Sequence, residues 1–257
     1  MARLLEINGV THYFGGLCAI SGFDLTLEPG ELVGLIGPNG AGKTTVFNLI
    51  TGVYRPAAGS ISFQGRQITG KTPDRITSLG IARTFQNIRL FNQLTVLDNV
   101  RIAHYGHAKY SFVEALLHTG RYRTEENRII EESMQLLSFV GLEASAVEPA
   151  RNLSYGLQRR LEIIRALATR PQLLLLDEPA AGMNPKEVDQ LMEFILRIRR
   201  EFGLTMLLIE HQMRLVMGIC ERLKVLDFGT TIAEGTPREV QGNPKVLEAY
   251  LGERIDD

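Results

Sequence analysis

An α/β fold with a mostly parallel core sheet is the class the sequence predicts, and three observations carry it. Apolar runs of strand length, LVGLI (32–36), LLLLD (173–177) and TMLLIE (205–210), suit strands buried on both faces. Amphipathic helical stretches separate such runs, as a parallel sheet requires. From about 95 to 141 the spacing turns helical, marking a helical lobe within the α/β chain.

Taken in order, the opening reads as β. LLEING is followed by FDLTLEPGELVGLI, in which Phe23, Leu25 and Leu27 alternate before Pro29-Gly30 turns the chain. TTVFNLITG predicts a helix stopped by Gly52, GSISFQGRQI a hairpin around Gln64-Gly65, and IARTFQ a short strand. In the lobe, Ile129, Ile130, Met134 and Leu137 mark one apolar helix face. LEIIRALATR then predicts a helix, and Asn184-Pro185 opens another with Glu187 at its third position. Val188, Leu191, Met192, Ile195 and Ile198 form its expected buried stripe. RLKVLDFGTTIAEG reads as a hairpin, and Thr236-Pro237 and Asn243-Pro244 open two short final helices.

Composition narrows the function. The 257 residues, 44% of them hydrophobic, suffice for one large domain. With 28 Lys plus Arg against 29 Asp plus Glu, the formal charge of -1 gives no footprint for nucleic acid, so any bound anion is held locally. Arg3 and Glu6 interrupt the start, and no apolar run approaches the roughly 18 residues of a spanning helix. Neither a leader nor a membrane span is expected. Cys18 and Cys220 sit in apolar settings, which favours free thiols and a reducing compartment.

GPNGAGKT (37–44) satisfies the phosphate-loop pattern, between a strand and a helix. Glycines at 37, 40 and 42 let backbone N–H groups turn inward at a helix N-terminus that favours negative charge. Lys43 reaches the β and γ phosphates, and the Thr44 hydroxyl can ligate Mg²⁺. A phosphate loop alone leaves kinases, GTPases and ATPases open. LLLLDEP adds a buried strand ending in Asp177 and Glu178: the first acid can hold Mg²⁺ through water, and the second can orient and deprotonate an attacking water. An acidic pair after a strand also serves as a helix cap, but the following Pro179 and the preceding phosphate loop favour the catalytic reading.

LSYGLQRRLEIIRAL resembles the signature motif, usually written LSGGQ, of the ABC-transporter ATPases. Gln86 in RTFQ and His211 in IEHQ fall where that family has its Q-loop and H-loop. Walker A, Q-loop, signature, Walker B, D-loop and H-loop thus follow in family order across nearly the whole chain. The resemblance implies a P-loop NTPase fold, with a mostly parallel core sheet, an N-terminal antiparallel β subdomain and a helical lobe. The domain would span 1–257, with the lobe near 90–165 and C-terminal helices in 236–257. It implies ATP and Mg²⁺ as ligands. Gly37, Pro38, Asn39, Gly40, Ala41, Gly42, Lys43, Thr44 and Thr45 would hold the phosphates, and Thr44, Gln86 and Asp177 the metal. Glu178, His211 and Gln86 would be catalytic, with His211 sensing the γ-phosphate. Two such domains would face head to tail, so that Ser154 and Gly156 of one contact the γ-phosphate on Lys43 of the other. Phe14 matches the adenine-stacking position best, and Tyr13 is the alternative. The sequence departs from the family pattern at Tyr155 and Leu157 in the signature and at Asn184 in the D-loop.

ARTFQNIRLFNQLTVLDNV, DEPAAGMNPKE, LLIEHQMRLVMGICERLKVLDFG and NPKVLEAYLGE look most like the ATP-binding subunits of branched-chain amino acid importers. Related urea, amide and lipopolysaccharide systems share parts of them. The resemblance implies a peripheral subunit on the cytoplasmic side of the inner membrane. Its partners would be permease subunits, a sister ATPase or a second copy, and indirectly an extracytoplasmic binding protein, with no nucleic acid. Ile88, Leu90, Phe91, Leu94 and Val96 are expected to divide between a groove for a permease helix and internal packing. The insert at 104–123 carries scattered aromatic and basic residues that could touch the permease or lipid headgroups, and a solvated amphipathic helix is the favoured reading. A DNA-repair or translation ATPase of this family would usually carry a coiled-coil insertion or a second ATPase domain, and a metabolic kinase would leave the signature and His211 unexplained.

Overall fold

Leu5–Phe14 (β1) and Leu17–Leu27 (β2) form an antiparallel hairpin closed at Gly15-Gly16, with Phe14 opposite Leu17. The register slips three times along it, which bends the ribbon. Leu32–Ile36 (β3) follows, then Lys43–Ile50 (α1), Ala58–Phe63 (β4), Arg66–Gln67 (β5), Pro73–Ser78 (α2) and Ile81–Arg83 (β6). The helical stretch contains Val96–His104 (α3), Phe112–Leu116 (α4), Gly120–Phe139 (α5) and Tyr155–Leu167 (α6). After it come Leu173–Asp177 (β7), Pro185–Phe202 (α7), Thr205–Ile209 (β8), Met213–Ile219 (α8), Arg222–Asp227 (β9), Thr230–Gly235 (β10), Pro237–Gln241 (α9) and Pro244–Leu251 (α10).

This computed structural model describes residues 3–251, and the chain divides into two compact units. One runs to Gln86 and resumes at Gln172; the other is Asn87–Pro171, a little wider than the expected lobe. The last part of the expected C-terminal helical segment, 252–257, lies outside the described residues.

The first unit holds two sheets. An antiparallel one has the order β2-β1-β4-β5, and a six-stranded one the order β10-β9-β3-β8-β7-β6. The second is parallel from β9 to β6, with β10 antiparallel at its edge. Strands β3, β7 and β8 are buried at every position, which explains their unbroken apolar runs. Each of Leu173, Leu174, Leu175 and Leu176 is fully buried, contributing about 2 kcal/mol of apolar transfer energy apiece. All five parallel strands end on the same side, and the loops leaving β3, β7 and β8 share that side.

Helix α7 starts as the sequence requires: the Asn184 side chain accepts from the N–H groups of Lys186 and Glu187, and Glu187 accepts from Asn184 N–H. Its buried stripe is Val188, Leu191, Phe194, Ile195 and Ile198. Met192 is only half-buried, and its methyl lies over Gly218 of α8, where an added Cβ would be 2.2 Å away.

In the second unit, α5 buries Glu125, Ile129, Ser133 and Leu137, a narrower stripe than expected, with Ile130 and Met134 half-buried beside it. Glu125 tolerates burial because Arg128 grips both its oxygens at 2.6 and 3.0 Å. Asn99 of α3 is fully buried and ties Phe91 down, accepting from its N–H at 2.9 Å and donating to its carbonyl at 3.1 Å. The opening stretch read as β forms the antiparallel β1–β2 pair, whereas helix α2 carries no strong periodic signal and is not among the elements the sequence predicts.

Candidate active site

The phosphate loop leaves β3 and enters α1, whose first residue is Lys43, one earlier than the sequence suggests. Two glycines are sterically required. At Gly37 (φ 149) a Cβ would lie 2.0 Å from the Leu226 carbonyl oxygen, and at Gly42 (φ 103) 2.6 Å from Ile20 and 2.8 Å from the Ala19 oxygen. No side chain caps α1, so its N-terminal dipole and donors face the loop, the arrangement that suits an anion. Lys43 is buried, and Nζ donates to the carbonyls of Gly37 and Pro38 at 2.7 and 2.8 Å. Burial pushes its pKa down, while Glu178 and Asp177 oppose that shift. Ala41 is buried, Pro38, Gly42 and Thr45 are half-buried, and Asn39, Gly40 and Thr44 are exposed. Tyr250 of α10 also reaches this loop, taking a hydrogen bond from the Gly37 backbone; burial still raises its phenol pKa.

Strand β7 delivers the two acids to different surroundings. Asp177 is buried, and its Oδ2 accepts from Arg83 at 2.6 Å. Arg83 also donates to Asn48 of α1 at 2.6 Å and lies over the rings of Phe47 and Phe85. Glu178, one residue on, has φ 44, a left-handed conformation that glutamate seldom adopts. Its Oε2 accepts from Gln86 Nε2 at 2.7 Å and stands 3.6 Å from His211 Nδ1. The structure therefore brings together Glu178, Gln86 and His211, three residues that the sequence singled out from distant positions. Behind them lies Glu210, which is fully buried and accepts from the backbone of Ala180, His211 and Gln212. Sequence reading missed Arg83 and Glu210. The available signal was a charge inside or ending an otherwise apolar run.

Phe14 and Tyr13 are both exposed at the end of β1. Phe14 packs edge-on against His12 and Tyr54, which stack on each other with centroids 5.2 Å apart. In the second unit, Ser154 occupies the N-cap position of α6 but makes no capping hydrogen bond, contrary to a simple capping role; it is exposed. Gly156 follows within the first turn. The phenol of Tyr155 accepts a bond from Arg159, whose guanidinium is fully buried and pairs with Glu162 at 2.8 Å. Where the family pattern has glycine, this chain thus anchors a tyrosine to an internal ion pair. Phe91 and Leu94 are exposed, Ile88 and Leu90 half-buried and Val96 buried, so the segment both packs inward and presents apolar surface. The insert differs from expectation: Phe112, Val113, Leu116 and Leu117 are 60–82% exposed, more apolar surface than a solvated amphipathic helix presents.

A glycine-clamped loop with an inward lysine after β3, and an acid pair at the end of β7, define a P-loop nucleoside triphosphatase. A family profile described as ABC transporter matches residues 20–181, and one described as branched-chain amino acid ATP-binding cassette transporter matches 230–256. The high-affinity branched-chain amino acid transport ATP-binding protein BraF of Pseudomonas aeruginosa is 46% identical over 250 residues, covering 97% of this chain and 98% of that one. The ADP conformation of MJ1267, an ATP-binding cassette of an ABC transporter, superposes with a TM-score of 0.85 at 33% identity, covering 98% of this chain and 100% of that one. A dimeric post-hydrolysis state of the ATP-binding cassette MJ0796, bound to ADP and Pi, gives a TM-score of 0.75 at 25% identity over 91% and 99% of the two chains. This chain belongs to the ABC transporter family, as an ATP-binding and ATP-hydrolysing subunit. Among the described residues, no helix is long and apolar enough to cross a membrane.

Proposed function

We propose that the chain hydrolyses ATP to power uptake of branched-chain amino acids through membrane permease subunits, from the cytoplasmic face of the inner membrane. The carrying observation is the convergence of Glu178, Gln86 and His211 beside the Lys43 loop. The solute class is supported by the likeness to BraF and by the C-terminal profile match at 230–256.

In this reading the loop 37–45 cradles the phosphates, Lys43 exchanges its carbonyl partners for phosphate oxygens, and Phe14 stacks on the base. Glu178 accepts the proton of the attacking water, held in place by the Gln86 amide, while His211 faces the same point from the end of β8. Ser154 and Gly156 serve the nucleotide of a second ATPase, either a sister subunit or another copy. The dimeric MJ0796 structure supports such pairing.

Among the described residues, no group of three or more His, Cys, Asp or Glu side chains is placed to hold a metal. Mg²⁺ takes most of its ligands from water and phosphate and needs only one or two protein oxygens, a donor set that the exposed Thr44 and the Asp177 carboxylate could meet. Thr44, Asp177 and the amide oxygen of Gln86 would hold it; when bound it supplies neutralisation of phosphate charge.

The test is reconstitution with the permease pair and the solute-binding protein in vesicles. ATP-dependent leucine uptake is expected, and Phe91→Glu should lower uptake while leaving hydrolysis by the free subunit intact, because a docked glutamate must be desolvated. Hydrolysis with no stimulation by leucine, isoleucine or valine would remove the solute assignment.

A further inference from the structure

Glu210 directly follows β8, and its side chain is fully buried. Among the described residues, no cationic side chain pairs with it. Backbone N–H groups meet its carboxylate instead: Ala180 on Oε1 at 2.8 Å, and His211 and Gln212 on Oε2 at 2.9 and 3.1 Å. Burying a carboxylate is costly unless each oxygen is hydrogen-bonded, and a strand that ends an apolar run needs no charge to stay buried. The arrangement does something an apolar residue could not: it joins the loop after β7 to the loop after β8. A second tie runs parallel, Gln212 Nε2 donating to the Ala180 carbonyl at 3.0 Å. A third is the Glu178 N–H on the Ile209 carbonyl at 2.9 Å.

Between these ties stand Glu178, with its left-handed φ of 44, and His211, 3.6 Å apart. A sparsely populated backbone conformation persists only where its surroundings hold it. We propose that Glu210 is a positioning residue that sets His211 and the 178–184 loop in register with each other for ATP hydrolysis. The inference rests on the catalytic reading of Glu178 and His211 above. Glu210 touches no reacting atom: it acts through the backbone of the two loops, so the closed site depends on a carboxylate behind it.

The test uses the full chain with Glu210→Gln, which keeps volume and burial. Its amide has one accepting oxygen, and its NH₂ group faces backbone donors, so one loop must be released. The expected result is a loss in kcat of at least about tenfold, with the ATP KM within about twofold of the parent. In a His211→Ala background the same change should lower kcat by clearly less than in the parent, because one of the two parts it sets in register is gone. Parental kcat for Glu210→Gln, or an undiminished loss in the His211→Ala background, would overturn the proposal. If Glu210→Gln does not fold, Gln212→Ala carries the test: about a threefold kcat loss at unchanged KM is expected, and parental kcat refutes it. Failure of the underlying reading is separable, since a parent chain that binds but does not turn over ATP would show that first.

Discussion

Arg83 and Asp177 face each other at 2.6 Å with both side chains more than nine-tenths buried, at the point where β6 and β7 lie side by side. The guanidinium also reaches Asn48, so one side chain links the acid, the short strand β6 and the helix behind the phosphate loop. Arg83→Gln leaves a buried carboxylate unpaired and should cost about 3–5 kcal/mol of stability. Urea unfolding of parent and variant measures it. A midpoint unchanged within error would mean that the pair contributes nothing to the native state.

Glu178→Gln keeps the side chain's size and its hydrogen bond to Gln86 but removes the proton acceptor and a negative charge near the phosphates. Turnover should fall severely, ATP binding should survive, and MgATP should drive a dimer whose fraction rises with ATP concentration. Phosphate release and light scattering are read together. Near-parental turnover removes Glu178 from catalysis.

Ser154→Arg should leave ATP affinity of the isolated subunit unchanged while blocking turnover, because the serine is proposed to serve the partner's nucleotide. Lys43→Ala is the contrast, since its ammonium lies within the loop of its own subunit, and its loss should abolish hydrolysis and greatly weaken ATP binding. Calorimetry of both variants decides. Equal loss of affinity in the two would contradict action across the interface.

The Arg128 guanidinium, gripping both oxygens of Glu125, holds that carboxyl at about 2, well below its ordinary 4.5. A depressed folded-state pKa gives stability that is complete above about pH 4.5 and lost as pH falls through about 2. The gap in melting temperature between the parent and Glu125→Gln should therefore be largest above pH 5 and close toward pH 2. A gap constant over that range would rule out the linkage.

The candidate phosphate loop and acid pair were legible because they are written in contiguous motifs, a loop that only glycine can make at 37 and 42 and an acid pair ending an apolar run, as was the start of α7 in the capping box of Asn184 and Glu187. What stayed hidden depends on partners remote in sequence. Arg83 and Glu210 look like the solvated ends of strands until the structure supplies Asp177 and Ala180. On α5 the sequence pattern favoured Ile130 and Met134, yet Ser133 and Glu125 are buried instead, because a neighbouring arginine makes a buried carboxylate tolerable where hydrophobicity alone would not place one. Ser154 shows the converse: its type and position suggest a cap, but its hydroxyl does not serve α6.

Strand β3 pairs on both sides with strands made much later, Leu32 with Met206 on β8 and Val33 with Arg222 on β9. The loop that follows it is closed against Leu226. A nascent chain emerging from the ribosome thus carries the whole phosphate motif long before it owns a nucleotide pocket, and until residue 205 appears both edges of β3 lack their sheet neighbours. Ordering this strand waits on contacts of long sequence separation, which form slowly. Until then LVGLI is an apolar segment with open edges, the kind of segment that chaperones protect during synthesis.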